Sequence, residues 1–212
     1  MTQISRAQVS KRIGVLCLIA LGFLASCAQG YRSEGFIDPR LEAAFLFLPQ
    51  PDGSGAGGAA VVIAPTIAAT NEHNANLIAR GDILARSEYY DLLFFRTPRG
   101  EPARTAAPRL GQNVVAYGDG GGGALRQASG PIEFLPVTAE NCPACKWNPS
   151  FAYRAPAGPG FSGGPVVDAE NGAVLGLTFG YIDSPIERGE TRLMLAYDMA
   201  LVRGEWTRLL SP

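Results

Sequence analysis

From Leu41 to Tyr197 the apolar residues of this chain come in short runs rich in Val, Ile, Leu, Phe and Tyr, each bounded by Gly, Pro, Asn or Asp. That punctuation leaves little room for amphipathic helices and points to an antiparallel β protein. The runs predict strands at Ala43–Leu48, Ala59–Ala64, Ile67–Thr70, Ile83–Arg86 and Leu92–Arg96. A second set follows at Asn113–Tyr117, Gly130–Val137, Phe151–Arg154, Pro165–Val167, Ala173–Phe179 and Arg192–Tyr197. Between the sets, residues 98–109 mix prolines, alanines and charges without an apolar period, as a linker does. Strands on both sides without helical stretches between them argue against a parallel α/β sheet and for two packed sheets or two barrels. In Met199–Leu210, Leu201, Val202, Trp206, Leu209 and Leu210 fall near helical spacing, so a short C-terminal helix packing back on a barrel is expected. Gly120–Gly123 reads as a turn, because no lysine of a phosphate-binding loop follows it.

The first residues obey another grammar. Arg6, Lys11 and Arg12 precede an uncharged run, Ile13–Leu24, and small residues follow. A basic start, an apolar core of about a dozen residues and a small-residue cut are the parts of a secretory signal peptide, and the run is short for a membrane span. The tetrad Leu24-Ala25-Ser26-Cys27 resembles the lipobox of bacterial lipoproteins, which implies cleavage before Cys27 and a lipid anchor on that residue. Cleavage near Ala28 with release is the other reading. The expected location is the envelope of a bacterial cell. With two membranes, the lack of an acidic residue at Ala28 suggests the periplasmic face of the outer one.

Removing residues 1–26 takes away three basic residues and no acidic one, so the remainder carries more acid than base. Lys146 is then the sole lysine, the arginines are scattered, and nucleic acid is not an expected partner. Of four cysteines, Cys17 leaves with the signal and Cys27 is assigned to lipid. Cys142 and Cys145 remain, as Cys-Pro-Ala-Cys. In an exported protein this pair is expected to form a disulfide that clips a loop. A thioredoxin-like redox site would need the motif to open a helix, and Lys146-Trp147-Asn148-Pro149 does not continue as one. Zinc would need more ligands than the chain offers here, so no metal or cofactor is expected.

The most informative stretch is Gly158-Pro159-Gly160-Phe161-Ser162-Gly163-Gly164-Pro165, followed by an apolar strand, a polar turn and Val174-Leu175-Gly176-Leu177. It resembles the active-serine segment of the trypsin-like peptidases. A tetrahedral intermediate puts negative charge on the former carbonyl oxygen, and glycines let backbone N–H groups converge on it. The donors would be those of Gly160 and Ser162. A serine hydroxyl needs a base within hydrogen-bond reach, and the chain has one histidine. His73, in Thr70-Asn71-Glu72-His73, is similar to the family's histidine segment. Asp91 heads Leu92-Leu93-Phe94-Phe95-Arg96 much as the family's aspartate heads its strand, and Asp82 is the competing acid. The order His73, Asp91, Ser162 is that of this family and not of subtilisins or α/β-hydrolases.

The resemblance spans about residues 55–182 and implies an all-β fold of two antiparallel six-stranded β-barrels with a short C-terminal helix. The expected organisation is a signal peptide over 1–26, a tether over 27–40, a first barrel over 41–97, the linker over 98–109, and the second barrel with the helix over 110–212. It further implies a serine endopeptidase working through an acyl-enzyme on protein or peptide substrates. Pro156, at the floor of the primary pocket, carries no charge, which suggests an apolar or small side chain at the cleaved position. Thr178, Phe179 and Gly180 are expected to pair with substrate backbone. Three departures stand out. The interval from His73 to Asp91 is short, Glu72 replaces a small residue, and Phe161 stands where animal enzymes carry an aspartate for a freshly cut N-terminus. Activation by propeptide cleavage is therefore not expected. The alternative to an enzyme is an inactive pair of barrels acting as an envelope binding or scaffolding module.

Overall fold

A computed structural model describes residues 39–52, 55–98, 100–121, 124–138, 140–142, 148–182 and 192–210. All of them belong to one compact unit, Tyr31–Pro212. Cys27 and the expected signal peptide lie outside the described residues. A single helical turn, α1 (Pro39–Glu42), leads into β1 (Phe45–Leu48), β2 (Gly58–Ala64) and β3 (Ile67–Thr70), followed by β4 (Ile83–Arg86) and β5 (Leu93–Arg96). Their sheet runs β1-β2-β3-β5-β4, antiparallel throughout. Phe45 faces Val61, Val61 faces Ala69 and Ala69 faces Phe94, so one buried row crosses four strands. Burying such side chains contributes roughly 1.5–3 kcal/mol for each large one.

The second half is a closed six-stranded barrel, ordered β10-β11-β8-β7-β6-β9. Its strands are β6 (Asn113–Asp119), β7 (Leu125–Phe134), β8 (Phe151–Ala155), β9 (Pro165–Asp168), β10 (Val174–Ile182) and β11 (Arg192–Asp198). Val114, Ala116, Phe151, Tyr153, Val166, Leu175 and Met194 fill its interior.

The two-sheet all-β plan is as expected, and the first half forms the five strands that the apolar runs predict, one fewer than the resemblance implied. It is an open sheet of five among the described residues, with β1 and β4 as edges. The short stretch between β3 and β5 accommodates only the four-residue β4. A second difference concerns β7, expected at Gly130–Val137 and found at Leu125–Phe134. Gly130-Pro131 looks like a break in sequence but lies inside the strand. A Cβ on Gly130 would sit 1.7 Å from the Arg154 carbonyl oxygen, so the glycine is there to let β8 approach.

The C-terminal helix α2 spans Met199–Leu210. Asp198 caps it, its Oδ1 accepting the Leu201 N–H at 2.7 Å. Val202 is buried and Trp206 packs on Phe94 of β5 with ring centroids 5.2 Å apart, so the helix reaches back to the first sheet. Leu210, expected on the packing face, is 61% exposed, and Glu205 is buried instead. Residues of the linker are stitched to both halves. The Ala103 N–H donates to the Val62 carbonyl, while Arg104 and Ala106 pair with Val174.

Candidate active site

β3 ends at Thr70 and delivers the chain into a 3-10 turn, Glu72–Leu77, that carries His73. His73 Nδ1 lies 2.7 Å from Asp91 Oδ2, and the His73 backbone N–H donates to Asp91 Oδ1 at 3.1 Å. Both carboxylate oxygens are thus spent on one residue, which fixes the ring against rotation. The Asp91 backbone is held in turn. Its carbonyl accepts from Asn71 Nδ2 at 3.0 Å, and its N–H donates to the Tyr197 hydroxyl at 3.2 Å. Burial raises the Tyr197 phenol far above its ordinary pKa of 10.0, so the oxygen keeps its proton. Asp82, the competing acid, closes the turn Arg80–Asp82 and lines a separate groove with Leu46 and Phe95. Glu72 forms an ion pair with Arg86.

Ser162 lies in the turn between β8 and β9. Gly160 has φ +89° and Gly163 φ +78°, conformations that disfavour any side chain. The turn is pinned by Asp119 N–H donating to the Gly160 carbonyl at 2.8 Å and by Gly163 N–H donating to the Thr178 carbonyl at 2.7 Å. The N–H groups of Gly160 and Ser162 donate to no acceptor among the described residues. Two backbone donors, the serine's own N–H and that of the residue two before it, can receive a developing oxyanion. The Ser162 carbonyl accepts from Ala59 N–H at 2.9 Å and from Asn74 Nδ2 at 3.0 Å. Asn74 also donates to Thr70 Oγ1, and Thr70 Oγ1 donates to the Ala59 carbonyl. The histidine turn of one half and the serine turn of the other are therefore joined through Asn74, the residue after His73. Among the described residues no hydrogen bond joins the Ser162 hydroxyl to His73. Such bonds are often long until substrate closes the site.

The expected substrate edge is divided in two. Thr178 is turned inward, its N–H donating to Gly164, its carbonyl accepting from Gly163, and its hydroxyl 2.7 Å from that of Tyr153. It therefore anchors the serine turn. β9 pairs with β10 only as far as Leu177, and the register with β11 skips Phe179, which leaves Phe179 and Gly180 as an open edge. A Cβ on Gly180 would meet nothing within 4 Å. That edge, His73, Asp91, Tyr89, Tyr90 and Leu195 line a cleft of about 660 Å³. Pro156 does not line it. Cys142 is buried and disulfide-bonded, in a turn where its N–H donates to the Thr138 carbonyl; Cys145 lies outside the described residues.

Reading by motif missed Asn74, Tyr197, Asp119 and Tyr153, because each acts through a partner 25 or more residues away that spacing alone does not reveal. A family model described as a trypsin-like peptidase domain matches residues 54–177. Among solved structures, the active form of the Rv3671c protease from M. tuberculosis superposes with a TM-score of 0.55 at 22% identity, over 82% of this chain and 85% of that one. The protease domain of MamO from Magnetospirillum magneticum gives 0.55 at 15% identity, over 76% and 93%. The HtrA-type protease AlgW, in a structure with a tripeptide, gives 0.57 at 19% identity, over 73% and 56%. At these identities the likeness is one of fold. No curated protein sequence matches significantly.

Proposed function

Because the chain belongs to the trypsin-like peptidase domain family, we propose that it is a serine endopeptidase cleaving peptide bonds through an acyl-enzyme. The observation that carries this reading is the contact of His73 Nδ1 with Asp91, 2.7 Å long and reinforced by a second bond to the same carboxylate. With Asp91 accepting from Nδ1–H, the Nε2 lone pair is free to act as base. Ser162 Oγ attacks the scissile carbonyl while Nε2 takes its proton, and the oxyanion falls to the N–H groups of Gly160 and Ser162. The proton then passes to the leaving amine. A water, activated by the same nitrogen, releases the acyl group.

The open edge at Phe179–Gly180 would take the substrate's backbone by strand addition. The aromatic cleft beside it suits apolar side chains, and the uncharged segment around Pro156 fits a small or apolar residue at the cleaved position. AlgW structures with bound peptides are in keeping with a peptide substrate. We place the enzyme at the bacterial envelope, tethered through lipid on Cys27, on the strength of its lipobox. Cys27→Ser should move it from the membrane to the soluble fraction; an unchanged distribution would exclude the anchor.

The chemistry is tested by labelling the purified protein with a fluorophosphonate, which needs an activated serine to displace fluoride. Labelling should occur in the wild type and fall by about three orders of magnitude or more in Ser162→Ala and His73→Ala. A well-folded wild type that does not label would favour the inactive scaffold.

A further inference from the structure

The loop that presents Asp91 is fastened to the C-terminal helix by a side-chain bridge 118 residues long in sequence. Ser87 opens this loop and closes it, its N–H donating to the Leu92 carbonyl at 2.9 Å. Its hydroxyl oxygen accepts the N–H groups of Tyr89 at 3.1 Å and Tyr90 at 3.0 Å, and its proton goes to Glu205 Oε1 at 2.5 Å. One donor and two lone pairs are all a serine hydroxyl has, so it is saturated. Glu205 is 5% exposed on the packing face of α2 and is gripped by Arg208 through both oxygens, at 2.8 Å each. Arg208 also lies over the Tyr89 ring, 5.0 Å from its centroid. An apolar residue would fill the Glu205 site without the cost of desolvating a carboxylate. What the carboxylate adds is a directed acceptor for Ser87.

We propose that Ser87 and Glu205 are positioning residues for the His73–Asp91 pair, acting through the hydrogen bond between them that braces the acid loop. The proposal rests on the reading of that pair as catalytic. The two N–H groups that Ser87 holds belong to the residues immediately before Asp91, and Tyr197 and Asn71 hold Asp91 itself. Releasing the first pair lets the carboxylate swing about the second, and the imidazole loses the acceptor that sets its tautomer.

The test uses the full folded chain carrying Ser87→Ala, Glu205→Leu or Glu205→Gln, with Trp206→Leu as a control that loosens α2 without touching the bridge. Since the chain has one histidine, the imidazole nitrogen chemical shifts report the tautomer of His73 without ambiguity. Ser87→Ala and Glu205→Leu should lower the proportion of Nδ1–H tautomer and slow fluorophosphonate labelling about tenfold, a part of the two to four orders that a positioned base supplies. Glu205→Gln, which keeps an acceptor oxygen for Ser87, should stay closer to wild type. Trp206→Leu should lower thermal stability alone. Wild-type tautomer and labelling in Ser87→Ala, the variant least able to disturb folding, would overturn the proposal. So would an equal loss in Trp206→Leu, which would assign the effect to helix packing. A wild type that never labels, combined with a tautomer change in Ser87→Ala, would sink the peptidase reading and leave the positioning role standing.

Discussion

The two turns of the site depend on single residues whose replacement has a calculable consequence. Gly163 is the sharpest case. With φ +78° and a would-be Cβ only 2.1 Å from Thr70 Oγ1 and 2.2 Å from the Ala59 carbonyl, it touches the hydrogen bond that ties β3 to β2. Gly163→Ala should cost at least about 3 kcal/mol, combining backbone strain with overpacking. Urea denaturation would show this as a lower midpoint, and labelling should fall with it because Ser162 precedes the displaced residue. A fully stable alanine variant would mean that the turn relaxes freely. The motif Gly-x-Ser-Gly-Gly marked this residue in the sequence, since a left-handed turn leaves a glycine as its trace. Asn74 left no such trace. An asparagine beside a histidine is ordinary, and its bonds to Thr70 and Ser162 exist only when both turns are in place.

At the scale of elements, α2 shows how far periodicity reaches. Its helical spacing was legible, and Val202 and Trp206 pack as expected, but the pattern assigned Leu210 to the core and passed over Glu205. Apolar periodicity cannot register a buried carboxylate that is satisfied by Arg208 and Ser87. Arg208 holds the Glu205 carboxyl below its ordinary pKa of 4.5, outweighing the effect of burial, and Ser87 adds to it. A lowered native pKa means that the unfolded chain takes up the proton first. The stabilisation from this group is therefore complete above the ordinary carboxylate range and is lost as the pH falls through and below it. Between about pH 5 and pH 3, wild type should lose stability more steeply than Glu205→Gln. Parallel denaturation curves for the two would show that the ion pair contributes nothing. β7 teaches the same point for strands. Gly130-Pro131 reads as a stop, and its role as a point of close approach needs β8 alongside.

For the molecule as a whole, the site lies where two halves of the chain meet, and the halves are bound by more than the linker. Ala59 and Asn74 hold the Ser162 carbonyl, Trp206 covers Phe94, and linker residues pair with Val62 and Val174. With that many joints, thermal unfolding should show one cooperative transition, with equal calorimetric and van't Hoff enthalpies. Two separated transitions would mean that the sheet and the barrel fold independently. The amino-acid sequence alone determined the all-β character, most of the strand runs, and the candidates His73 and Ser162 with an acid between them in the chain, because these rest on local alternation, turn chemistry and short motifs. Tertiary structure decided that the first five strands pair, among the described residues, in the order β1-β2-β3-β5-β4 and that Asp91 rather than Asp82 meets the imidazole. It also decided that Thr178 anchors the serine turn and that a C-terminal carboxylate braces the acid loop. Each of those outcomes is a contact between segments far apart in the chain, where the energy of docking chooses among partners that the local sequence leaves equal.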